Sequence, residues 1–426
     1  MQHFLWGKLV LVLVAVVAVL QVVHLILLSR LEAKHHHHEE QDDRSVSSGN
    51  EAEAAFASLV RSLHQGRVLD TSGEYQLVPN LAPGTRQPPP RPPSTVPDIA
   101  LVSQCSFNHL HHIVPMVQRW QGPISIAVFA EDHELSEALW GIAGLRLCYS
   151  AIRHNVSFQL VSPLPAGGRP PLTVPPDPSP PCQIPSPEAN QQKNNYAGKR
   201  RFPNNLLRNV ARRGTSAEFV LVVDIDMLPS LNLRQDFYDF AVKSRLFSET
   251  HHEDKTVYVV PAFEARETVT PPRTKSELLR LADGGDLRPF YIELCWKCQC
   301  YVVLLQVHTD YEAWQKEPPS SGLAPLFEVL WKDPWEPFYI SRNSVPFYDE
   351  RFKQYGFNRI SQVCELHVAG YKFSVLNNAF LVHRGLKTTA SFHETKDLDQ
   401  ERNRLLFRQF KTELREKYPE SSRRCY

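Results

Sequence analysis

No charge of one sign dominates the 426-residue chain: 47 Lys and Arg stand against 46 Asp and Glu, a formal net charge of +1 at pH 7. Without a basic excess it lacks the electrostatic footprint by which proteins hold nucleic acid, and that class of partner is excluded. Long hydrophobic runs are equally scarce. One stands out, Leu9 to Leu28, broken only by Gln21 and His24. Its length suits a bilayer core of about 30 Å at about 1.5 Å per helical residue. Missing after it is a small-residue cleavage site, since the chain continues Leu28-Ser29-Arg30-Leu31-Glu32, so the run reads as an anchor and not as a removed signal. Missing too is a second Cys or His pair that would complete Cys295-x-x-Cys298 as a zinc cage. The eight cysteines (105, 148, 182, 295, 298, 300, 364 and 425) therefore read as structural disulfides of an oxidising compartment.

Charge flanking the run is nearly symmetric, with Lys8 before it and Arg30 and Lys34 after, so orientation rests on size. A short head has no room for a domain, which places the globular part on the far side. The single Asn-x-Ser/Thr acceptor, Asn155-Val156-Ser157, fits a lumenal face and marks Asn155 for glycosylation. The expected order is a cytoplasmic tail (1–8), a signal-anchor (9–28), a stem (29–97) and a lumenal domain (98–426). The stem holds the His35–His38 run, read as low complexity since four adjacent histidines have no cage, and an amphipathic stretch from Ala54 to His64. A stiff tract, Pro88 to Pro93, closes it.

Beyond the stem, strand and helix signals alternate: strand Ile99–Val102, a helical stretch to Trp120, strand Ile124–Ala130, helix Glu134–Leu147 and strand Ser157–Val161. That alternation predicts an α/β fold with a mostly parallel central sheet flanked by helices. Residues 163–200 interrupt it with a proline-rich stretch expected to be a disordered insertion.

The richest stretch is Phe219 to Ser230, Phe-Val-Leu-Val-Val-Asp-Ile-Asp-Met-Leu-Pro-Ser. A valine-rich run of this kind is what a parallel strand covered on both faces looks like, and it ends in two acids before Pro229. Residues two apart on a pleated strand point the same way, so Asp224 and Asp226 can face one cation at the strand's carboxyl edge. The competing reading is two solvated acids that cap a turn. Upstream, Phe202 to Arg213 carries an apolar stripe of Leu206, Leu207, Val210 and Ala211. Asn205, Arg208, Asn209 and Arg212 share the opposite face, where amides and guanidinium forks suit phosphate or carboxylate. Either this is a nucleotide-sugar site or an ordinary solvated helix face.

The segments FPNNLLRN, VLVVDIDMLPS, VVPAFE, RPFY, CxxCQ, WxDPWEPFYI, FYDERFKQYGFNRISQVCELHVAGY and FLVHRG occur in one order from about Ile99 to Cys425. In that order they resemble the glucuronyltransferase family shared with the second catalytic domain of the LARGE-type glycosyltransferases. The resemblance implies a GT-A-like nucleotide-sugar transferase fold in a type II Golgi membrane protein with a lumenal catalytic domain. It implies UDP-glucuronate as donor and inverting transfer to a β-xylose acceptor, in O-mannosyl glycan synthesis on α-dystroglycan. It also implies a third metal ligand at His383, whose imidazole tilts the ion towards Mn2+; the plainer reading of His383 is a histidine satisfied in a loop. The chain departs from the family at Cys300 to Val307, where an apolar insert is either a further strand or a misread gene.

Chemistry at a nucleotide diphosphate needs a cation on the leaving group and a base on the acceptor hydroxyl. Glu336, Asp349 and Glu350 are the candidate bases, all in aromatic-rich stretches, and Trp335 is a candidate platform for a sugar ring. Rival readings are transfer from UDP-N-acetylglucosamine or UDP-xylose, or a catalytically silent Golgi partner of another glycosyltransferase of the same pathway.

Overall fold

The computed structural model describes residue 21 and residues 44–87, 96–165, 171–175, 200–248, 254–295, 302–303, 306–307, 309–388 and 395–425. The expected tail, the anchor apart from Gln21, the His35–His38 run, the Pro88–Pro93 tract and most of the 163–200 insertion lie outside these residues. Among the described residues no helix is long and apolar enough to cross a membrane. Contacts divide the chain into one unit up to Ala55 and a second from Phe56 to Tyr426. The division falls inside helix α1 (Arg44–Gln65), which contains the amphipathic stretch read from the sequence.

Short apolar runs give the second unit its strands. In chain order they are β1 (Val68–Leu69), β2 (Tyr75–Ala82), β3 (Val96–Ser106), β4 (Ile124–Phe129), β5 (Val156–Pro163), β6 (Ala217–Val222), β7 (Met227–Pro229), β8 (Thr256–Val260), β9 (Ala262–Ala265), β10 (Leu287–Pro289), β11 (Val302–Val303), β12 (Gln306–Val307), β13 (Pro325–Val329), β14 (Phe338–Arg342), β15 (Lys372–Leu376) and β16 (Leu381–Arg384). A ten-stranded sheet runs β1-β2-β5-β4-β3-β6-β14-β8-β15-β13. Its centre, β5-β4-β3-β6, is parallel, and every residue of β4 is buried, as strands covered on both faces require. The sheet as a whole is mixed, which corrects the mostly parallel expectation: β2, β14 and β13 each run antiparallel to their neighbours. Two of these follow connections with no crossover helix pattern to betray them.

A second correction concerns the stem. Strand β2 pairs antiparallel with β5, and Tyr75 and Leu77 lie in a core cluster with Val161 and Phe202, so the folded unit begins well before residue 98. Within the apolar insert, Val302–Val303 and Gln306–Val307 pair as the antiparallel ladder β11–β12.

Helices α2 (Ile113–Trp120), α3 (Leu135–Cys148) and α4 (Ser150–Asn155) connect the parallel strands. Helix α5 (Asn204–Arg213) sets its apolar stripe against Val102, Ala127 and Val220 of the sheet. Its polar face is buried as well, because the chain from Asn343 to Asn358 packs over it. Beyond it come α6 (Leu233–Lys243), α7 (Lys275–Asp283), α8 (Tyr311–Lys316), α9 (Asn358–Val368) and α10 (Lys396–Lys417). The disulfide Cys364–Cys425 ties α9 to the C-terminal segment. Cys148 and Cys295 are disulfide-bonded too, so Cys295 is no zinc ligand, while Cys105 is a buried free thiol.

A smaller four-stranded sheet, β10-β9-β16-β7, lies beyond the carboxyl end of β6. Strands β16 and β7 are antiparallel with His383 opposite Met227, and β9 runs parallel to β16 with Glu264 opposite His383. This brings the end of one apolar run, Leu-Val-His, beside the turn that carries the two aspartates.

Candidate active site

Strand β6 ends at Val222, and Asp224 to Asp226 form a turn closed by a hydrogen bond from the Met227 N–H to the Asp224 carbonyl at 3.0 Å. The two carboxylates therefore do not follow the strand's period of two, and they engage different partners. Asp224 Oδ1 accepts from Arg208 Nη2 and from Gln104 Nε2, each at 3.2 Å, and its Oδ2 accepts from Arg359 Nη2. Burial alone would push its carboxyl up, but Arg359 and Arg208 beside it hold it below the usual carboxylate range. Asp226 Oδ2 faces His383 Nε2 at 2.9 Å and Lys387 Nζ at 3.2 Å. Here too burial opposes ionisation, and Lys387 and His383 outweigh it, so the carboxyl stays well below its ordinary value.

His383 is oriented from behind. Its Nδ1 lies 2.6 Å from the Gly385 carbonyl, which can only accept, so Nδ1 carries a proton and Nε2 is the nitrogen turned to the carboxylate. Ligating histidines are commonly fixed in this way by their second nitrogen. Gly385 has φ +93, a left-handed conformation that favours glycine. Behind the site Glu264, fully buried, accepts from Arg288 Nε at 2.5 Å and from the Lys387 N–H at 3.3 Å, anchoring the backbone of the lysine that faces Asp226.

Among the described residues no group of three His, Cys, Asp or Glu side chains is arranged as a metal cage. The donor chemistry nevertheless fits a divalent cation: two ionised carboxylates, an imidazole nitrogen held towards one of them, and an ammonium already standing as a cation against Asp226.

Most of the other predicted site residues frame this centre. Asn205 donates from Nδ2 to the carbonyls of Asp349 (2.8 Å) and Asn358 (2.9 Å), and Asn209 Nδ2 donates to the Tyr348 carbonyl and Glu350 Oε1, both at 2.8 Å. Arg212 gives three donations to the carbonyls of Asn343, Val345 and Pro346 at 2.8, 2.8 and 2.9 Å. These three side chains fasten the 343–358 segment to α5. Arg208 alone on that face reaches an aspartate of the pair. Asp349 is gripped by the Arg351 guanidinium, whose Nη2 lies 2.6 Å from its Oδ2, and Glu350 is shared by Asn209 and Arg213. Glu336 is placed differently: burial pushes its carboxyl up, and the charges that act on it are Arg359, Arg208, Asp333 and Asp224. Trp335 is fully buried, its indole N–H donating to Thr309 Oγ1 at 3.1 Å, so it supports the segment from within and offers no stacking face. Asn155 ends α4, half-buried, and the Ser157 hydroxyl of its acceptor triplet donates to Gln87 Oε1 at 3.0 Å.

Sequence reasoning missed Gln104, Arg359, Lys387, Glu264 and His112. Gln104 was signalled by its place near the end of a strand that neighbours β6, and Lys387 by a cation four residues after His383. Burial, with His111 adding to it, pushes His112 down to about 3 against the opposing pull of Asp226. The stretch His109-Leu110-His111-His112 gave no spacing from which a role could be read.

The family described as "Glycosyl-transferase for dystroglycan" matches residues 98–419. The chain belongs to this family. It is 40% identical to Beta-1,4-glucuronyltransferase 1 of Danio rerio over 98% of both chains. Similarity extends to Xylosyl- and glucuronyltransferase LARGE1 of Homo sapiens, 29% identical over 75% of this chain and 35% of that protein. A solved structure of GalNAc-T7 with UDP, GalNAc and Mn2+ aligns more distantly, at 9% identity and a TM-score of 0.38 over 70% of this chain and 45% of that one. Within the dystroglycan glycosyltransferase family, the matched span covers both aspartates, His383, Arg208 and Arg359.

Proposed function

We propose that this chain is an inverting, metal-dependent glucuronyltransferase of GT-A-like fold, moving glucuronic acid from UDP-glucuronate to a β-xylose terminus of the O-mannosyl glycan on α-dystroglycan. Family membership supports the class of reaction. The observation that carries the site is the meeting of Asp226 with His383 Nε2 at 2.9 Å, beside Asp224, where the sheet's carboxyl edge opens. Asp226 and His383, with Asp224, would hold a divalent ion, manganese by the imidazole in the set. When bound, such an ion supplies Lewis acidity against the charge growing on the departing diphosphate.

The protein's own groups supply the rest. Arg208 and Arg359 fix the Asp224 carboxylate, and the Glu264–Arg288 pair anchors the backbone beneath Lys387. Of the three candidate bases, Glu336 fits best. Burial raises its carboxyl above the ordinary glutamate range, which makes it the more basic group, and Asp224 is among the charges that act on it, whereas Asp349 and Glu350 are paired with Arg351 and Arg213. In a single displacement the acceptor oxygen bonds to the anomeric carbon, the bond from that carbon to the phosphate oxygen breaks, and Glu336 takes the hydroxyl proton. The disulfides suit an oxidising lumen, consistent with a type II Golgi membrane protein anchored by residues 9–28.

The test is a UDP-release assay on the soluble domain with UDP-glucuronate, UDP-N-acetylglucosamine and UDP-xylose, with and without a xylose-terminated acceptor, titrated with Mn2+. UDP-glucuronate alone should respond to the acceptor. Asp226→Asn should lower that rate by about 10²-fold or more with little change in melting temperature. Preference for another donor would reassign the substrate, and a fully active Asp226→Asn at limiting Mn2+ would remove the metal assignment.

A further inference from the structure

If the sugar is a uronic acid, some cation must meet its carboxylate, because an unpaired carboxylate in a closed site is strongly disfavoured. By position on α5 Arg208 is the obvious choice, yet its donors are committed: Nη1 to Asn205 Oδ1 and Asn358 Oδ1, both at 2.9 Å, and Nη2 to Asp224 Oδ1 at 3.2 Å. Its side chain is 4% exposed. Arg208 is thus the fixed support of Asp224.

Arg359 is held less completely. It projects from the first turn of α9, and its guanidinium carbon lies 3.9 Å from the centroid of the Phe338 ring, which carries the flat face. Its hydrogen-bond partner among the described residues is Asp224, and its side chain is 13% exposed. Among the described residues no side chain takes its other guanidinium nitrogens, and the group keeps some exposure. Asp224 receives two arginines, one on each carboxylate oxygen. Lys387 stands on the other side, against Asp226 and the proposed metal and diphosphate. Arg359 lies near enough to Glu336 for each to act on the other's charge, so a sugar read by Arg359 would lie within reach of the proposed base.

We infer that Arg359 reads the sugar carboxylate through its uncommitted guanidinium edge, making it the residue that selects a uronic acid donor over a neutral hexose. This rests on the glucuronyltransferase reading above. A guanidinium fork pairs with a carboxylate through two parallel hydrogen bonds, and lysine keeps the charge but loses the fork. Arg359→Lys consequently preserves a cation beside Asp224 while removing the recognition geometry.

The experiment measures kcat and KM for UDP-glucuronate and UDP-glucose, and the inhibition constant of UDP, in wild type, Arg359→Lys and Arg359→Gln, with melting temperatures as a folding control. Arg359→Lys should lose about 10-fold and Arg359→Gln about 100-fold in kcat/KM for UDP-glucuronate. Whatever Arg359 contributes through Asp224 should lower UDP-glucose turnover and UDP binding alike, so UDP-glucuronate should lose about 10-fold more than either, and the preference between donors collapses. Equal losses for both donors, or UDP weakening in step with UDP-glucuronate, would overturn the assignment and return Arg359 to supporting Asp224 or the diphosphate. A wild-type protein that does not use UDP-glucuronate would overturn the parent reading along with it.

Discussion

Removing residues 1–95 tests where the folded unit begins. A soluble protein that starts at Val96 keeps the parallel centre of the sheet but loses β1, β2 and the whole of α1. Four side chains of the missing ribbon, Tyr75, Leu77, Val78 and Leu81, are buried, and Phe56, Leu59 and Leu63 of the helix are buried too. At about 1.5–3 kcal/mol for each buried apolar side chain, the four on β2 alone contribute roughly 6–12 kcal/mol. That is an upper bound, since unfolded chains already bury some surface, yet it is comparable to the whole stability of a typical domain, about 5–15 kcal/mol. The deletion also uncovers β5, leaving a long apolar edge strand with unpaired backbone groups. Two secreted proteins, starting at Arg44 and at Val96, should therefore differ sharply. The first should be monodisperse with a single cooperative melt, and the second should aggregate or melt at least about 10 °C lower. A Val96 start that melts within about 2 °C of the Arg44 start would refute the claim that β2 belongs to the core.

Arg212→Met tests whether the polar face of α5 is scaffold: it strips the donors from three carbonyls and should cost about 3–5 kcal/mol in denaturant unfolding, whereas Arg213→Ala, half-exposed, should cost below about 1 kcal/mol. Catalysis lost without loss of stability would place Arg212 at the substrate instead. His367, pushed down to about 4 by burial with Arg423 adding to the shift, predicts a pH dependence. The unfolded chain takes up its proton near 6.5 and the folded one does not, so stability is complete above that pH and falls as pH drops towards 4. His367→Phe keeps a ring against Trp331 and should lose less melting temperature between pH 7 and pH 5 than wild type; an equal loss would deny His367 that role.

The strands of the parallel centre were legible because burial on both faces leaves unbroken apolar runs, and the observed bounds of β4 and β6 lie close to those runs. Strand β2 was not. Pro79 and Asn80 interrupt its pattern, and Asn80 adopts φ 52 where the pairing with β5 shifts register. A proline at an irregular point near a sheet edge disguises a strand as a linker. The polar face of α5 was read correctly as a face and incompletely as to its surroundings. Its partners at Asn343, Val345, Tyr348 and Asn358 lie well over a hundred residues downstream, and no local pattern announces that a loop will return to cover a helix.

The same limit explains the aspartates. Two residues apart on a strand they would share a face, but the strand stops at Val222 and the turn gives each its own company. That division has a chemical use on the proposed reading. A metal centre must keep a carboxylate ionised before the ion arrives, and burial works against ionisation; cations supplied by the protein resolve the conflict on both sides of the turn. On Asp226 the compensating groups are an imidazole, able to become a ligand, and the Lys387 ammonium, already standing as a cation against the carboxylate. On Asp224 they are guanidinium groups that remain charged at any working pH, so this side stays anionic and oriented whether or not an ion is present. The Asp-x-Asp spacing announces a centre, and the residues that divide its work are contributed by β3, α5, α9 and β16, elements that only the folded sheet edge brings together.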